Sequence, residues 1–422
     1  MRKLVITLSL FCIATLSIFL IAQEETSDKQ KIVWLKENAI RVDLDGKDFQ
    51  FLDKALKDVD IVLLGEISHG DGKTFAVKTE LIKYLHKKLG FNVLVFESGM
   101  VECHLTWQAL TNGEPGTTAF PKGIFPIWER SEQVQDLFSY IEENVGTENE
   151  LELSGFDMQM TGNIKLENRI EHISKNLFFE NRQDFESEFP VFTSIFSNLQ
   201  KFFREKPDSA QMEEFFYELD QMAQQMNAVN NKDIQQKILS RALVYLPRFF
   251  YFVWNLDPKN PDYKVANIRE EEMGKNLIWL KENLYPDKKI MVWGASSHLS
   301  WNRQSIEQQK NFIPMGQYVK DHFNDKVFSI IFSAYTGMDG SAFTKEKRNI
   351  EDLTKESTEY LLSEAGFEYA FLNFRELKKK GGWMDEKFIL RPFGYANFRA
   401  NWPTMCDALF FIREMTPSTA VK

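Results

Sequence analysis

The stretch Ile61-Val62-Leu63-Leu64-Gly65-Glu66-Ile67-Ser68-His69-Gly70 decides how the rest of the chain is read. Its four leading apolar residues predict a strand over about 60–64 that is buried on both faces, as in a parallel sheet. The strand runs into a turn bounded by Gly65 and Gly70, which carries a carboxylate and an imidazole three residues apart. Polar chemistry at the C-terminal end of a buried strand is the pattern of a ligand edge in an α/β sheet.

Working outward, residues 73–89 place Val77, Leu81, Ile82, Leu85 and Leu89 at helical spacing, and Gly90 follows as a helix-ending residue. A short apolar strand over 92–96 then ends at Glu97-Ser98-Gly99. The resulting β-α-β unit is expected to make its two strands parallel neighbours. Upstream, residues 32–56 read as a helix-and-loop lead-in. Downstream come a helix over 131–144 and a third strand over 150–155, ending at Phe156-Asp157-Met158-Gln159.

Residues 163–273 contain no glycine, and their Phe, Leu, Met and charged residues recur at spacings of three and four. This predicts a helical insertion broken near Pro190, Pro207 and Pro258, with Phe192, Phe196, Phe202, Phe203, Phe215 and Phe216 in its core. A helix over 275–284 and strands over 289–293, 327–332, 369–372 and 408–412 complete the pattern. The expected fold is α/β: a mostly parallel sheet flanked by helices, with a large all-helical insertion. The expected division is 1–22 leader, 23–162 and 274–422 the two parts of the α/β catalytic domain, and 163–273 the insertion.

Composition limits the function classes. The chain has 422 residues, 43% of them hydrophobic and 27% charged, which is ordinary globular material. Met1-Arg2-Lys3 followed by the uncharged apolar run 4–22 predicts a signal peptide cleaved near Ala22, so the body is expected to be exported, to the periplasm or outside. An uncleaved run of that length would anchor the chain, the only membrane contact foreseen. Without Arg2 and Lys3 the 51 basic residues become 49 against 61 acidic ones, a formal charge of −12. Such a surface repels phosphate backbones, so no nucleic-acid partner is expected. Beyond Cys12 in the leader, Cys103 and Cys406 read as two buried apolar thiols.

The candidate site gathers residues at strand ends: Glu66 and His69, Glu97, Asp157 and His298. His86, His104, His172 and His322 fall in helical or loop stretches and read as surface or packing residues. A neutral imidazole can take a proton from water, and a carboxylate on its other nitrogen fixes the tautomer and supports the imidazolium that forms. His69 with Glu66 or Glu97 fits that role. His298 could then donate a hydrogen bond to an oxyanion or protonate a leaving oxygen. No Gly-x-Ser-x-Gly elbow is present, so an activated water is expected rather than an acyl-enzyme. Four structural readings compete on these residues: Glu66 as a cap of the following helix, His69 as a satisfied turn histidine, Glu97 as a purely structural carboxylate that would need a partner to be buried, and Asp157 as a hydrogen-bond anchor. Two functional ones also stand, a divalent metal held by the two histidines and carboxylates, and an extracytoplasmic binding protein without turnover.

Gly65-Glu66-Ile67-Ser68-His69-Gly70, the following helix, Glu97 and Gly155-Phe156-Asp157-Met158-Gln159 resemble the erythromycin esterase family. The resemblance continues through Asn267-Ile268-Arg269, Met273, Asn276-Leu277, the strand ending at Trp293, His298 and Cys406-Asp407-Ala408-Leu409. It implies hydrolysis of a carboxylic ester or lactone, in characterised members that of macrolide antibiotics, with no required cofactor or metal. It also implies His69 as general base, Glu66 and Glu97 as its carboxylate partners and His298 as the second imidazole. Lys78 and Arg269 match recurring basic positions and, with Asp157, are expected to contact substrate. The chain departs from the family's Trp-x-His-Asn-x-x-His pattern, with Ala295 and Ser296 where an imidazole and an amide stand. Loss of such a donor costs about a hundredfold in rate, which points to a different substrate or weak activity on macrolides.

Overall fold

The computed structural model describes residues 27–421 except 45, 47, 204, 258, 260, 261, 345 and 351–353. The expected leader over 1–22, with Cys12, and the helix break expected at Pro258 lie outside the described residues. A helix over 27–38 leads into a two-residue strand, β1 (Ile40–Arg41), which the sequence reading did not foresee. The other strands are β2 (Ile61–Glu66), β3 (Phe91–Gly99), β4 (Glu152–Asp157), β5 (Lys289–Ala295), β6 (Val327–Gly340), β7 (Lys347–Asn349), β8 (Tyr369–Asn373), β9 (Phe388–Leu390), β10 (Phe398–Ala400) and β11 (Ala408–Met415). Strands β2, β3, β5, β6 and β11 run longer than expected and β4 lies two residues later, while β2 and β3 carry Glu66 and Glu97 as strand residues rather than turn residues.

The main sheet has the order β1-β8-β11-β6-β2-β5-β3-β4, with β7 paired to the far end of β6. Pairs from β11 through β4 are parallel, while β8 and β7 run antiparallel to their partners. The sheet is therefore mostly parallel and flanked by helices, as expected. One expectation fails: β2 and β3 are parallel but not neighbours. Strand β5, from beyond the helical insertion, lies between them and pairs with both. Its residues Ile290 to Ala295 are all buried, and so uniformly apolar a strand gains most at the centre of a sheet covered on both faces.

Residue parity assigns the strands' side chains to two faces. Val62 and Leu64, Leu94 and Phe96, and Met291 and Trp293 share one core with helix α1 (Gly72–Leu89). Ile61 and Leu63, Val93 and Val95, and Ile290 and Val292 share the opposite core with the helical block. Helix α1 ends at Gly90, whose φ of 71° is the left-handed conformation of a helix-ending glycine.

The glycine-free segment is helical over Leu166–Asn176, Arg182–Glu188, Pro190–Ser197, Leu199–Phe202, Ser209–Ala228, Ile234–Asn255 and Tyr263–Asn283, the last here called α2. Pro190 sits in the first turn of its helix, where its missing N–H costs nothing. Phe192, Phe196 and Phe215 are core and Phe202 and Phe216 half-buried, but Phe203 is 47% exposed, contrary to expectation. Cys103 and Cys406 are free and buried in cores on opposite faces of the sheet. No helix among the described residues is long and apolar enough to cross a membrane.

Where β2 passes under the short helix α3 (Ser296–Leu299), Gly65 leaves no room for a side chain. A Cβ there would stand 2.7 Å from Ser296 Oγ and 2.8 Å from Ser296 Cα. Gly65→Ala is expected to destabilise the fold by about 1–3 kcal/mol through overpacking, read as a lower midpoint in thermal unfolding. An unchanged midpoint would mean that α3 is free to move off the strand.

Candidate active site

The last residue of β2 faces the α1 side of the sheet. Glu66 has no exposed surface. Its Oε1 accepts from His69 Nδ1 and from Trp128 Nε1, both at 2.9 Å, and its Oε2 accepts from Lys78 Nζ at 2.5 Å. Lys78 reaches it from α1, its ammonium 4.0 Å above the Trp293 ring and 3.5 Å from the Gly294 carbonyl. Burial pushes the Glu66 carboxyl up, but Lys78 and then His69 pull it further down, so it stays ionised. Burial also pulls the Lys78 ammonium down, to about 8, against the field of Glu66.

An ionised Glu66 fixes His69. The ring donates its Nδ1–H to the carboxylate, which leaves the Nε2 lone pair free. Burial lowers the imidazole, while the Glu66 hydrogen bond and the charge of Glu97 raise it by more, so it titrates above 6.5. Trp128 meets the ring edge-on, centroids 5.4 Å apart, and restricts its rotation.

The turn beneath His69 is held by Asp71, the residue before α1, rather than by Glu66, which caps nothing. Asp71 Oδ2 accepts the backbone N–H of Ile67 at 3.1 Å and of Ser68 at 2.9 Å, and Oδ1 accepts the Tyr395 hydroxyl at 2.6 Å. Gly394 N–H donates to the Ile67 carbonyl at 2.9 Å from the same distant segment. Tyr395 is buried and has a φ of 67°, a left-handed conformation that bulky residues avoid. Backbone strain of that kind, about 1–3 kcal/mol, persists where surrounding contacts over-determine it. Here those contacts are the clamp on the His69 turn.

The second network lies on the face covered by the helical block. Glu97 Oε2 accepts the Ala295 N–H at 2.9 Å, while Oε1 meets Arg269 Nη2 at 3.0 Å and His298 Nε2 at 3.2 Å. Arg269, on α2, also donates to both oxygens of Asp157, Nε at 3.2 Å and Nη2 at 2.6 Å. His298 Nδ1 stands 2.6 Å from Glu270 Oε1, and Glu270 Oε2 accepts the Met315 N–H at 2.9 Å. Burial lowers the His298 imidazole, but Glu270 and Glu97 raise it to about 10, so at neutral pH it is a cation with both N–H groups engaged. The same His298 charge, with its hydrogen bond and Arg269, holds Glu97 well below the usual carboxylate range in spite of burial.

Both networks open on a cleft of about 440 Å³ lined by His69, Glu97, Phe125, Ile127, Trp128, Gln159, Arg269, His298 and Phe343. The structure thus brings His69, Glu97, Arg269 and His298 to one wall. It does not bring Lys78 or Asp157 there: both are fully buried, and neither lines the cleft. The expected substrate contacts at these two positions are corrected to supports, Lys78 behind Glu66 and Asp157 behind Arg269. Ala295 and Ser296 lie at the floor of the sheet edge, the first giving its N–H to Glu97 and the second fully buried under Gly65. Sequence reasoning missed Trp128, Glu270, Asp71 and Tyr395. Only Asp71 carried a signal, its position as a helix-capping residue type ahead of the apolar periodicity.

A divalent metal would need three or more donors turned to one point. Among the described residues no group of three His, Cys, Asp or Glu side chains meets that need. The reason is visible in the donor set: Arg269 already supplies the cation between Glu97 and Asp157, and His298 is saturated by two carboxylates.

The structure is thus a mostly parallel α/β sheet with a histidine, carboxylate and arginine cleft at the C-terminal edge of its strands. The chain belongs to the erythromycin esterase family, whose model matches residues 86–415. A protein of Bacillus subtilis (strain 168), YbfO, provisionally named a hydrolase, is 25% identical over 462 aligned residues, covering 100% of this chain and 99% of its own. A Bacillus cereus protein of known crystal structure aligns with a TM-score of 0.75 at 19% identity, covering 94% of this chain and 99% of that one. A histidine-to-asparagine mutant of the erythromycin esterase EreC, in its open conformation, aligns with a TM-score of 0.61 at 14% identity, covering 89% and 95%. The likeness of these two structures is one of fold.

Burial pushes the Asp71 carboxyl up to about 8, against its hydrogen bonds, so an amide is a close mimic of its neutral form. Asp71→Ala is therefore expected to lower turnover about tenfold or more and to lower the unfolding midpoint, having left the buried Ile67 N–H unpaired at about 1–3 kcal/mol and the half-buried Ser68 N–H at less. Asp71→Asn is expected to restore most of both. If Asn proves as damaging as Ala, the clamp acts through charge and not through hydrogen bonds.

Proposed function

We propose that this hydrolase cleaves a carboxylic ester or lactone with a water activated by His69. The observation that carries the reading is the tie between His69 Nδ1 and the buried, ionised Glu66, which leaves Nε2 as a fixed proton acceptor on the cleft wall. Water attacks the carbonyl carbon and gives its proton to Nε2. The oxyanion that forms faces the one nitrogen of Arg269 not engaged by a carboxylate, Nη1, in the field of the His298 imidazolium. On collapse, His69 returns the proton to the leaving alkoxide, giving an acid and an alcohol.

The surrounding charges favour this cycle. Glu66, Glu97, Asp157 and Glu270 are four carboxylates set against three cations, Lys78, Arg269 and His298. A proton arriving on His69 completes the neutralisation. His298 acts here as a fixed cation, since both of its N–H groups are taken.

A hydrolysis screen of the purified protein against activated esters, lactones and macrolides tests the reading. His69→Ala is expected to cost about 10²–10⁴-fold in kcat with an unchanged unfolding midpoint; a mutant at the wild-type rate sinks the mechanism. The pH profile of kcat/KM is expected to rise along an ionisation above 6.5, since His69 must be neutral to act, and to fall as Lys78 loses its proton near 8. Glu66→Gln removes the largest of the influences that raise His69, leaving that of Glu97, so the rising limb should move to lower pH; a limb that stays in place assigns it to another group. Dialysis against a chelator should leave the rate unchanged, and a loss reversed by Zn²⁺ or Mn²⁺ would overturn the metal-free scheme.

A further inference from the structure

The cleft has a second arm, and its chemistry differs from the first. A cavity of about 610 Å³ on the other side of His69 is lined by Ser68, Ser341, Thr344, Glu346, Lys347 and the Asp339–Arg348 pair. His69 and Ile127 belong to both arms. The first arm is walled by Phe125, Pro126, Trp128 and Phe343 beside the charged set. Each volume alone lies in the ~300–1,000 Å³ range of small-ligand sites, so the joined cleft suits one molecule with two unlike halves.

One hairpin builds both arms. Strand β6 runs 14 residues, and its end turns back into β7. Gly340 N–H donates to the Gly70 carbonyl at 3.1 Å, which fastens the hairpin to the His69 turn. From its tip Phe343, half exposed, enters the aromatic arm, while Ser341, Thr344, Glu346 and Lys347 face the polar one.

The polar arm has little net charge. Arg348 donates to both oxygens of Asp339, at 3.0 and 2.6 Å, and the pair cancels. Glu346 and Lys347 add one charge of each sign and form no ion pair among the described residues. A lining of this kind gives no field to select a phosphate or an ammonium group. It does supply donors and acceptors side by side, which is what a ligand bearing many hydroxyls needs.

The cations place the carbonyl oxygen, and the unlike linings of the two arms place the two halves of the substrate. Arg269 and His298 line the aromatic arm and not the polar one, so the carbonyl oxygen is turned toward that arm, and the apolar walls of Phe125, Trp128 and Phe343 match an acyl chain rather than a hydroxyl-rich group. The alcohol then extends into the polar arm. We propose that the substrate is an apolar acyl ester of a hydroxyl-rich alcohol, of the class of an O-acylated sugar, bound across both arms with its ester at His69. This rests on the hydrolytic reading above. The step consumes one water, breaks the acyl carbon–oxygen bond and releases a carboxylic acid and the polyol, whose oxygen takes the proton from His69.

The test compares two probes with one acyl chain, 6-O-hexanoyl-glucose and methyl hexanoate, by kcat/KM. The sugar ester is expected to be favoured by about tenfold or more, as hydrogen-bonding sites discriminate. In Lys347→Ala, an exposed position with little bearing on folding, the ratio of the two values should fall several-fold; in Phe343→Ala the gain in rate on lengthening the acyl chain should flatten. Equal rates on the two probes, or a ratio that Lys347→Ala does not move, would overturn the assignment. A macrolide lactone cleaved faster than either probe would also overturn it while leaving the hydrolytic reading standing. No turnover of any ester or lactone would remove that reading itself.

Discussion

A carboxylate with no access to water is the constraint on which the site depends. An isolated buried charge of this kind is costly by many kcal/mol and would take up a proton instead. Glu66 avoids this through three donors from three places in the chain: Lys78 on α1, Trp128 in the short helix Pro126–Glu129, and His69 on the turn. Each is held by its own packing, Lys78 by the Trp293 face beneath it. The arrangement is therefore reciprocal. The helix must dock on the sheet for the carboxylate to stay ionised, and the ionised carboxylate sets the tautomer and tilt of His69, the cleft imidazole that keeps a free ring nitrogen.

The second carboxylate shows why two networks are needed. Glu66 follows Val62 and Leu64 on one face of the sheet, and Glu97 follows Val93 and Val95 on the other. A strand's period of two thus separates the Glu66–His69 network from the Glu97–Arg269–His298 network across the thickness of the sheet. Helix α1 supports the first and α2, from the end of the helical block, supports the second. Only at the C-terminal edge, where strands stop, can the two meet around one substrate, in accord with the general position of ligands in open parallel sheets.

Much of this was legible in the sequence, and the rest was hidden for identifiable reasons. Strands such as Ile61 to Leu64 and the Val77, Leu81, Leu85 stripe announce themselves through burial and period, so the elements, and the edge that carries Glu66, Glu97 and His298, follow from local pattern. Strand order is a long-range choice, and nothing near Leu94 says that Met291 will sit between it and Val62. Lys78 shows a similar limit: a lysine on a helix reads as solvated, and only the tertiary position of Glu66 turns it inward. Glu270 stands among three consecutive glutamates with no mark to single it out. Tyr395, more than three hundred residues from Asp71 in the chain, becomes meaningful only once its left-handed backbone is seen.

The central place of β5 has a consequence for how the chain acquires its structure. Its neighbours β2 and β3 are complete early in the sequence, yet the strand that joins them is made only after the whole helical block. Until then both present an unpaired apolar edge, the kind of surface on which chains associate with one another. Contacts of such wide sequence separation also close slowly, since loop entropy must be met before pairing repays it. The site is thus completed only when β5 has been made, from strands whose pairing waits on a segment beyond the helical block.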